Sequence, residues 1–163
     1  MPDVDSRVFR DTMGHFCTGV VAVTACLDGT PVGFAAQSFV SLSLTPPLVA
    51  FCPAKTSTSW PKIREAGHFC INMLAADQQS ICDALARSGG DKFADLSWAP
   101  GIATGAPVLA QVLASVECSL EAEHDAGDHT IVVGRVQALE VQADRTQGPL
   151  LFYRGGYGSF AGS

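Results

Sequence analysis

The 163-residue sequence predicts a mostly β fold with short α-helices, and three observations lead there. Val116-Glu-Cys-Ser-Leu-Glu-Ala-Glu123 alternates strictly between apolar and polar, the period of a strand. Asp28-Gly29 stands between two β-rich runs, as a tight hairpin turn does. Helical spacing appears only in short segments. About seven strands result, which suits a mostly antiparallel barrel with helical insertions better than a parallel α/β sheet. Residues 1–163 suffice for one domain with a single sizeable core.

In chain order, Asp5 or Ser6 caps a first helix that places Phe9, Met13 and Phe16 on one face and ends at Gly19. Val20–Leu27 is an apolar strand, and the Asp28-Gly29 turn leads into a second strand through Gly33. Pro46-Pro47 breaks that strand, and Leu48–Cys52 forms the next. A short helix runs from Trp60 or Pro61 to Ala66, because proline suits a first helical turn. His68–Leu74 is a strand. Asp77–Arg87 is a helix with Ile81, Ala84 and Leu85 on one face, stopped by Ser88-Gly-Gly90. Asp91–Ala106 reads as irregular, anchored by Phe93 and Trp98. The alternating strand turns at Asp125–Asp128 into His129–Val141, whose apolar phase slips near Leu139-Glu140, the mark of a bulge. Leu150–Tyr153 is the last strand.

Hydrophobic residues make up 47% of the chain and charged residues only 16%, which implies apolar surface buried against another subunit. Net charge is −6 with three lysines and no basic run, which disfavours nucleic-acid binding, a function that needs a positive face. No apolar run reaches membrane-spanning length, and Met1-Pro-Asp-Val-Asp-Ser-Arg7 lacks a secretory leader's basic start. A soluble, cytoplasmic protein is expected. The six cysteines have broad spacing without C-x-x-C and read as structural thiols, not bridges or zinc ligands.

Gly33-Phe-Ala-Ala-Gln-Ser-Phe39 carries small residues and a hydroxyl where a packed strand would carry Val or Ile. Small side chains let backbone N–H groups approach a flat, anionic ligand. Lys55-Thr-Ser-Thr-Ser59 precedes a helix start with more hydroxyls than one cap requires, an arrangement that holds phosphate oxygens. Together they suggest a phosphorylated cofactor. Gly14–Gly19 lacks the Lys and hydroxyl of a P-loop, and neither G-x-G-x-x-G nor G-x-S-x-G occurs. His124-Asp-Ala-Gly-Asp-His129 holds two imidazoles and two carboxylates, but no further ligand clearly joins them; no metal is expected.

Phe16-Cys-Thr-Gly-Val20, Gly33–Phe39, Ser43-Leu-Thr-Pro-Pro-Leu-Val49, Gly127-Asp-His129 and Leu151-Phe-Tyr-Arg-Gly-Gly-Tyr157, in this order and spacing, resemble the flavin reductase-like family. Those proteins have a split β-barrel, FMN-binding fold and serve as reductase components of two-component aromatic monooxygenases. The chain looks most like reductases paired with hydroxylases of steroid-ring degradation, phenols or 4-hydroxyphenylacetate. The resemblance implies a homodimer in which NADH or NADPH reduces FMN or FAD, and reduced flavin diffuses to an oxygenase partner. It implies that Ala35, Ala36, Gln37, Ser38 and Phe39 line the ring and ribityl chain. Cys52, Pro53, Ser57, Thr58, Ser59 and Trp60 would hold the ring edge and phosphate, and Lys92 the phosphate or adenylate side. His129 would meet the nicotinamide as the catalytic residue, with Tyr153 and Arg154 helping to seat NADH. Many relatives have Thr-Ala-Asn-Ser where this chain has Ala35-Ala-Gln-Ser38, which leaves FMN and FAD both open. A non-catalytic flavin or electron carrier of the same fold is the alternative.

Overall fold

The computed structural model describes residues 3–87 and 89–161. Helix α1 (Ser6–Met13) starts where the Asp5 carboxylate accepts from the N–H groups of Arg7 and Val8, donors the first turn leaves free. It ends at Gly14 rather than Gly19: the Gly14 N–H closes on the Arg10 carbonyl, and Gly19 already belongs to β1 (Thr18–Gly19). Phe9, Met13 and Phe16 are all more than half exposed, so their shared face has no cover within the chain.

Strands β2 (Val21–Leu27) and β3 (Thr30–Ala36) meet at Asp28-Gly29, where both residues have positive φ (49° and 78°), the I′ geometry that matches strand twist. Then come β4 (Val40–Leu44), β5 (Pro47–Phe51), α2 (Trp60–Ala66), β6 (His68–Met73) and α3 (Gln79–Ala86). Gly67 stops α2 with a φ of 73°. The buried face of α3 is Ile81, Cys82 and Leu85, with Cys82 in place of the expected Ala84. Of its expected stop, Ser88 lies outside the described residues, while Gly89 and Gly90 have positive φ. The segment read as irregular contains β7 (Trp98–Pro100), which pairs with β8 (Pro107–Leu109). Phe93 is buried as an anchor, and Trp98 half-buried. Strands β9 (Ala114–Ala126), β10 (His129–Val141), β11 (Leu150–Tyr153) and β12 (Gly156–Ser159) follow.

Seven strands form the main sheet in the order β3-β2-β6-β9-β10-β5-β4. Strands β3 and β4 follow one another in the chain yet stand at opposite ends of this order. The sheet is therefore unclosed, and only Gln37, Ser38 and Phe39 cross its seam. This is the split-barrel architecture. Two register shifts bend the long β9–β10 ribbon, leaving Glu121 and Gln137 without opposite residues. The bulge on β10 thus falls at Gln137, two residues before the expected Leu139-Glu140, both of which are paired in register.

The main core gathers around Phe51, whose ring meets Trp60 and Phe69 edge-on at centroid separations of 5.6 and 5.2 Å. A second cluster covers the other side of β2 and β6 with Ile81, Leu85, Phe93, Leu109 and Leu150. Sequence alternation in β9 suggested one wet face, but Glu117 is 4% exposed because the β7–β8 segment lies over it. Its carboxylate accepts from the Thr104 N–H and hydroxyl, both at 2.7 Å. Gly33 also has a packing role: a Cβ there would lie 2.8 Å from the Val23 carbonyl oxygen and 3.1 Å from Phe93.

All six cysteines are free thiols. Cys17 is exposed, which differs from the buried role expected of most, whereas Cys70 and Cys118 are fully buried. Burial pushes both of the latter thiols up to about 12, with Glu117 adding repulsion. Native protein thus keeps two protons that the unfolded chain releases near its ordinary thiol range. This stabilisation is complete below that range and is lost as pH rises towards 12. Between those limits, denaturant titrations should show stability falling by up to about 2.7 kcal/mol per pH unit, two thiols at about 1.36 each. A flat profile above pH 9 would contradict the buried placement.

Candidate functional site

A groove of about 390 Å³ opens where the sheet fails to close. Its walls come from four places: Phe34, Ala35 and Ala36 at the end of β3, Gln37 and Ser38 in the crossing, Cys52–Ala54 and Ser57 after β5, and His129 at the start of β10. Among the described residues β3 is an edge strand, so one side of its backbone has no strand partner there and offers N–H and C=O groups to a ligand. Alanines at 35 and 36 leave that backbone approachable.

Local bonding holds these pieces in register. The Cys52 N–H donates to Ser38 Oγ at 2.9 Å, tying the crossing to the end of β5. The Lys55 N–H donates to the Asp128 carbonyl at 2.9 Å, and the Thr130 N–H to the Pro53 carbonyl at 3.0 Å. Ala54 and His129 form an antiparallel bridge, and Lys55 pairs with Asp125 through its ammonium group. Gly127, with a φ of 66°, opens the two-residue turn between paired Ala126 and His129. Asp128 Oδ1 lies 2.7 Å from His129 Nδ1, and that contact holds its carboxyl below the usual carboxylate range. Partial burial pushes the Cys52 thiol up, so it stays neutral beside the groove.

The groove therefore unites Ala35, Ala36, Gln37, Ser38, Cys52, Pro53, Ser57 and His129, which lie up to 94 positions apart (129 − 35). A second cavity of about 550 Å³ collects Thr58, Ser59 and Lys92 with Lys62, Thr30–Gly33 and Gly89–Phe93. Two of the chain's three lysines face it. Lys92 Nζ donates to the Leu85 carbonyl at 3.0 Å, which fixes the cation at the end of α3. Ser57, not Ser59, serves the start of α2: its Oγ accepts from the Trp60 N–H at 3.1 Å. A third cavity, about 810 Å³, lies between α1 and the β11–β12 turn and is lined by Arg154, Arg10, His15 and Gln37. Gln37 lines this cavity and the groove alike, so the two adjoin.

Three of the expected site residues turn elsewhere. The Trp60 ring is buried against Phe51, and Phe39 packs on the main core. Tyr153 is half-exposed and meets His15 edge-on at 6.4 Å. Lys62, Arg10 and His15 were missed. Lys62 could have been found, since it stands one turn after Ser59 on a helix already expected; Arg10 and His15 gave no signal without the β11–β12 turn beside them. Among the described residues, no three His, Cys, Asp or Glu side chains converge as metal ligands.

A flavin reductase like domain matches residues 13–161. The chain belongs to the flavin reductase-like family. It is 52% identical over 155 residues to the reductase subunit HsaB of a flavin-dependent monooxygenase from Rhodococcus jostii, a match covering 94% of this chain and 77% of HsaB. It is 45% identical over 157 residues to the FMN reductase (NADH) SmoA of Agrobacterium fabrum, covering 96% and 87% of the two chains. The solved NADH:FAD oxidoreductase SgcE6 of Streptomyces globisporus superposes with a TM-score of 0.90 at 33% identity, covering 99% and 98%. Relatives in this family are thus flavin reductases, and some serve an oxygenase partner.

The residues present fit a phosphorylated flavin. An unpaired strand edge with two alanines admits a flat ring, and the hydroxyls of Thr58 and Ser59 with the ammonium groups of Lys62 and Lys92 suit phosphate oxygens.

Proposed function

We propose that this protein is an NADH:flavin oxidoreductase that reduces FMN or FAD and supplies the reduced flavin to a monooxygenase. The observation that carries the reading is the groove at the open seam, where an alanine-lined strand edge faces the imidazole of His129. Bound flavin supplies the hydride-accepting ring. Ala35, Ala36, Gln37 and Ser38 seat that ring, with Cys52 and Pro53 at its edge. Ser57, Thr58 and Ser59 serve the ribityl and phosphate end, and Lys62 and Lys92 balance the phosphate charge. Phe39 and Trp60 support the site from the core rather than by contact.

His129 orients the nicotinamide carboxamide, and Arg154, with Tyr153 behind it, steadies the remainder of NADH. The work of these side chains is positioning, since hydride transfer needs no general acid. NADH is preferred to NADPH because lysines that could meet a 2′-phosphate are scarce. A half-open groove also lets reduced flavin leave, as delivery to an oxygenase requires.

A second copy of the chain covers the exposed apolar residues of α1, β4 and the end of β10, including Phe9, Met13, Leu44 and Val141. The thiols remain free in the reducing cytoplasm. No helix among the described residues is long and apolar enough to cross a membrane. Purified protein mixed with FMN or FAD should consume NADH and elute at twice the 17.0 kDa chain mass in light-scattering chromatography. Flavin binding without NADH consumption would instead identify a carrier. Elution as a monomer would remove the dimer.

A further inference from the structure

We infer that Asp128 is a positioning residue: it locks His129 as the Nδ1–H tautomer and leaves the Nε2 lone pair as an acceptor for the nicotinamide carboxamide N–H. The inference rests on the role proposed above for His129 and adds to it which nitrogen acts.

The geometry leaves little choice of hydrogen. The 2.7 Å contact joins His129 Nδ1 to Asp128 Oδ1, and an ionised carboxylate can only accept, so Nδ1 must donate. In a neutral imidazole Nε2 is then the unprotonated nitrogen. The contact with His129 is the largest influence on the Asp128 carboxylate; the Lys55 ammonium group, paired with Asp125, adds only a lesser attraction. The backbone is held independently, through the Ala54–His129 bridge and the Lys55 N–H on the Asp128 carbonyl. Removing the carboxylate therefore frees the ring without dismantling the turn. Asp128 is almost fully exposed, so its contribution to stability is slight and its consequence is directional.

Nitrogen-15 NMR of the flavin-free protein, at a pH well above the ordinary imidazole range, reads the tautomer directly. Wild-type His129 should carry its proton on Nδ1, and in Asp128→Ala that tautomer should lose its dominance. With flavin added, Asp128→Ala should raise KM for NADH about five- to tenfold while kcat and flavin affinity stay within about twofold. Asp128→Glu should restore part of the loss. A proton on Nε2 in the wild type, or an unchanged tautomer and KM in Asp128→Ala, overturns the role of Asp128. Wild-type NADH kinetics in His129→Ala would instead overturn the nicotinamide role of His129 itself, whatever the tautomer.

Discussion

His129→Ala should lower kcat/KM for NADH at least about tenfold while the dissociation constant for FMN or FAD changes little. The loss corresponds to one hydrogen bond to the substrate, roughly 1–1.5 kcal/mol, and grows if misplacement of the nicotinamide also slows hydride transfer. Selectivity between the two ligands follows from the site's construction. The imidazole enters the groove from the β9–β10 turn, whereas the alanine-lined wall and the lysine-bearing cavity belong to β3, α2 and the loop after α3. The turn itself is held by main-chain bonds from Lys55 and Thr130, which do not need the ring. Stopped-flow NADH oxidation together with flavin titration separates the two quantities. A parallel loss of flavin affinity would place His129 on the flavin instead, and unchanged kinetics would remove it from the reaction.

Asn72→Leu should cost roughly 3 kcal/mol of unfolding free energy, more than an ordinary core substitution of similar volume. Asn72 is fully buried, with its amide nitrogen donating to the Ala22 carbonyl at 3.2 Å and to Thr24 Oγ1 at 3.0 Å. Its amide oxygen accepts from the Leu109 N–H at 2.8 Å. A leucine leaves the buried Leu109 N–H and the Ala22 carbonyl without their side-chain partner. Because Leu109 lies in β8, the damage should concentrate in the segment over β9. Hydrogen exchange at Leu109 and at Thr104, which binds Glu117, should accelerate before that of β10. Uniform acceleration throughout the chain would show that Asn72 supports the whole sheet rather than pinning this segment.

Both predictions depend on contacts that no local pattern revealed. Most strands and turns were legible because their causes are local. The strand expected to run from Gly33 to Pro46-Pro47, however, is split into β3 and β4, and β12 follows the strand expected to be last. Asp28-Gly29 suits an I′ turn by its own conformational preferences, and Pro61 and Gly67 bracket α2 for the same kind of reason. The groove residues between 35 and 57, and His129, were legible from family motifs rather than from spacing. What misled was the assumption of one wet face. Glu117 looks like a surface residue in sequence, but it and Asn72 lie beneath the β7–β8 hairpin, itself hidden in a stretch that reads as irregular. The family resemblance implied a cofactor contact for Trp60, whereas its position on α2 turns its ring towards Phe51.

Taken alone, the amino-acid order was enough to establish a chiefly β chain with three short helices, a net charge of −6, and a kinship with flavin reductases. Local conformational preference and residue chemistry act over a few positions, so they can be read in one dimension. Which strands became the two edges, that the seam fell between β3 and β4, and that His129 lines the same groove as Ala35 were decided only when distant segments packed. Hydrophobic burial around Phe51 selects that arrangement without direction, and the buried amide and carboxylate then admit only the pairing that satisfies them.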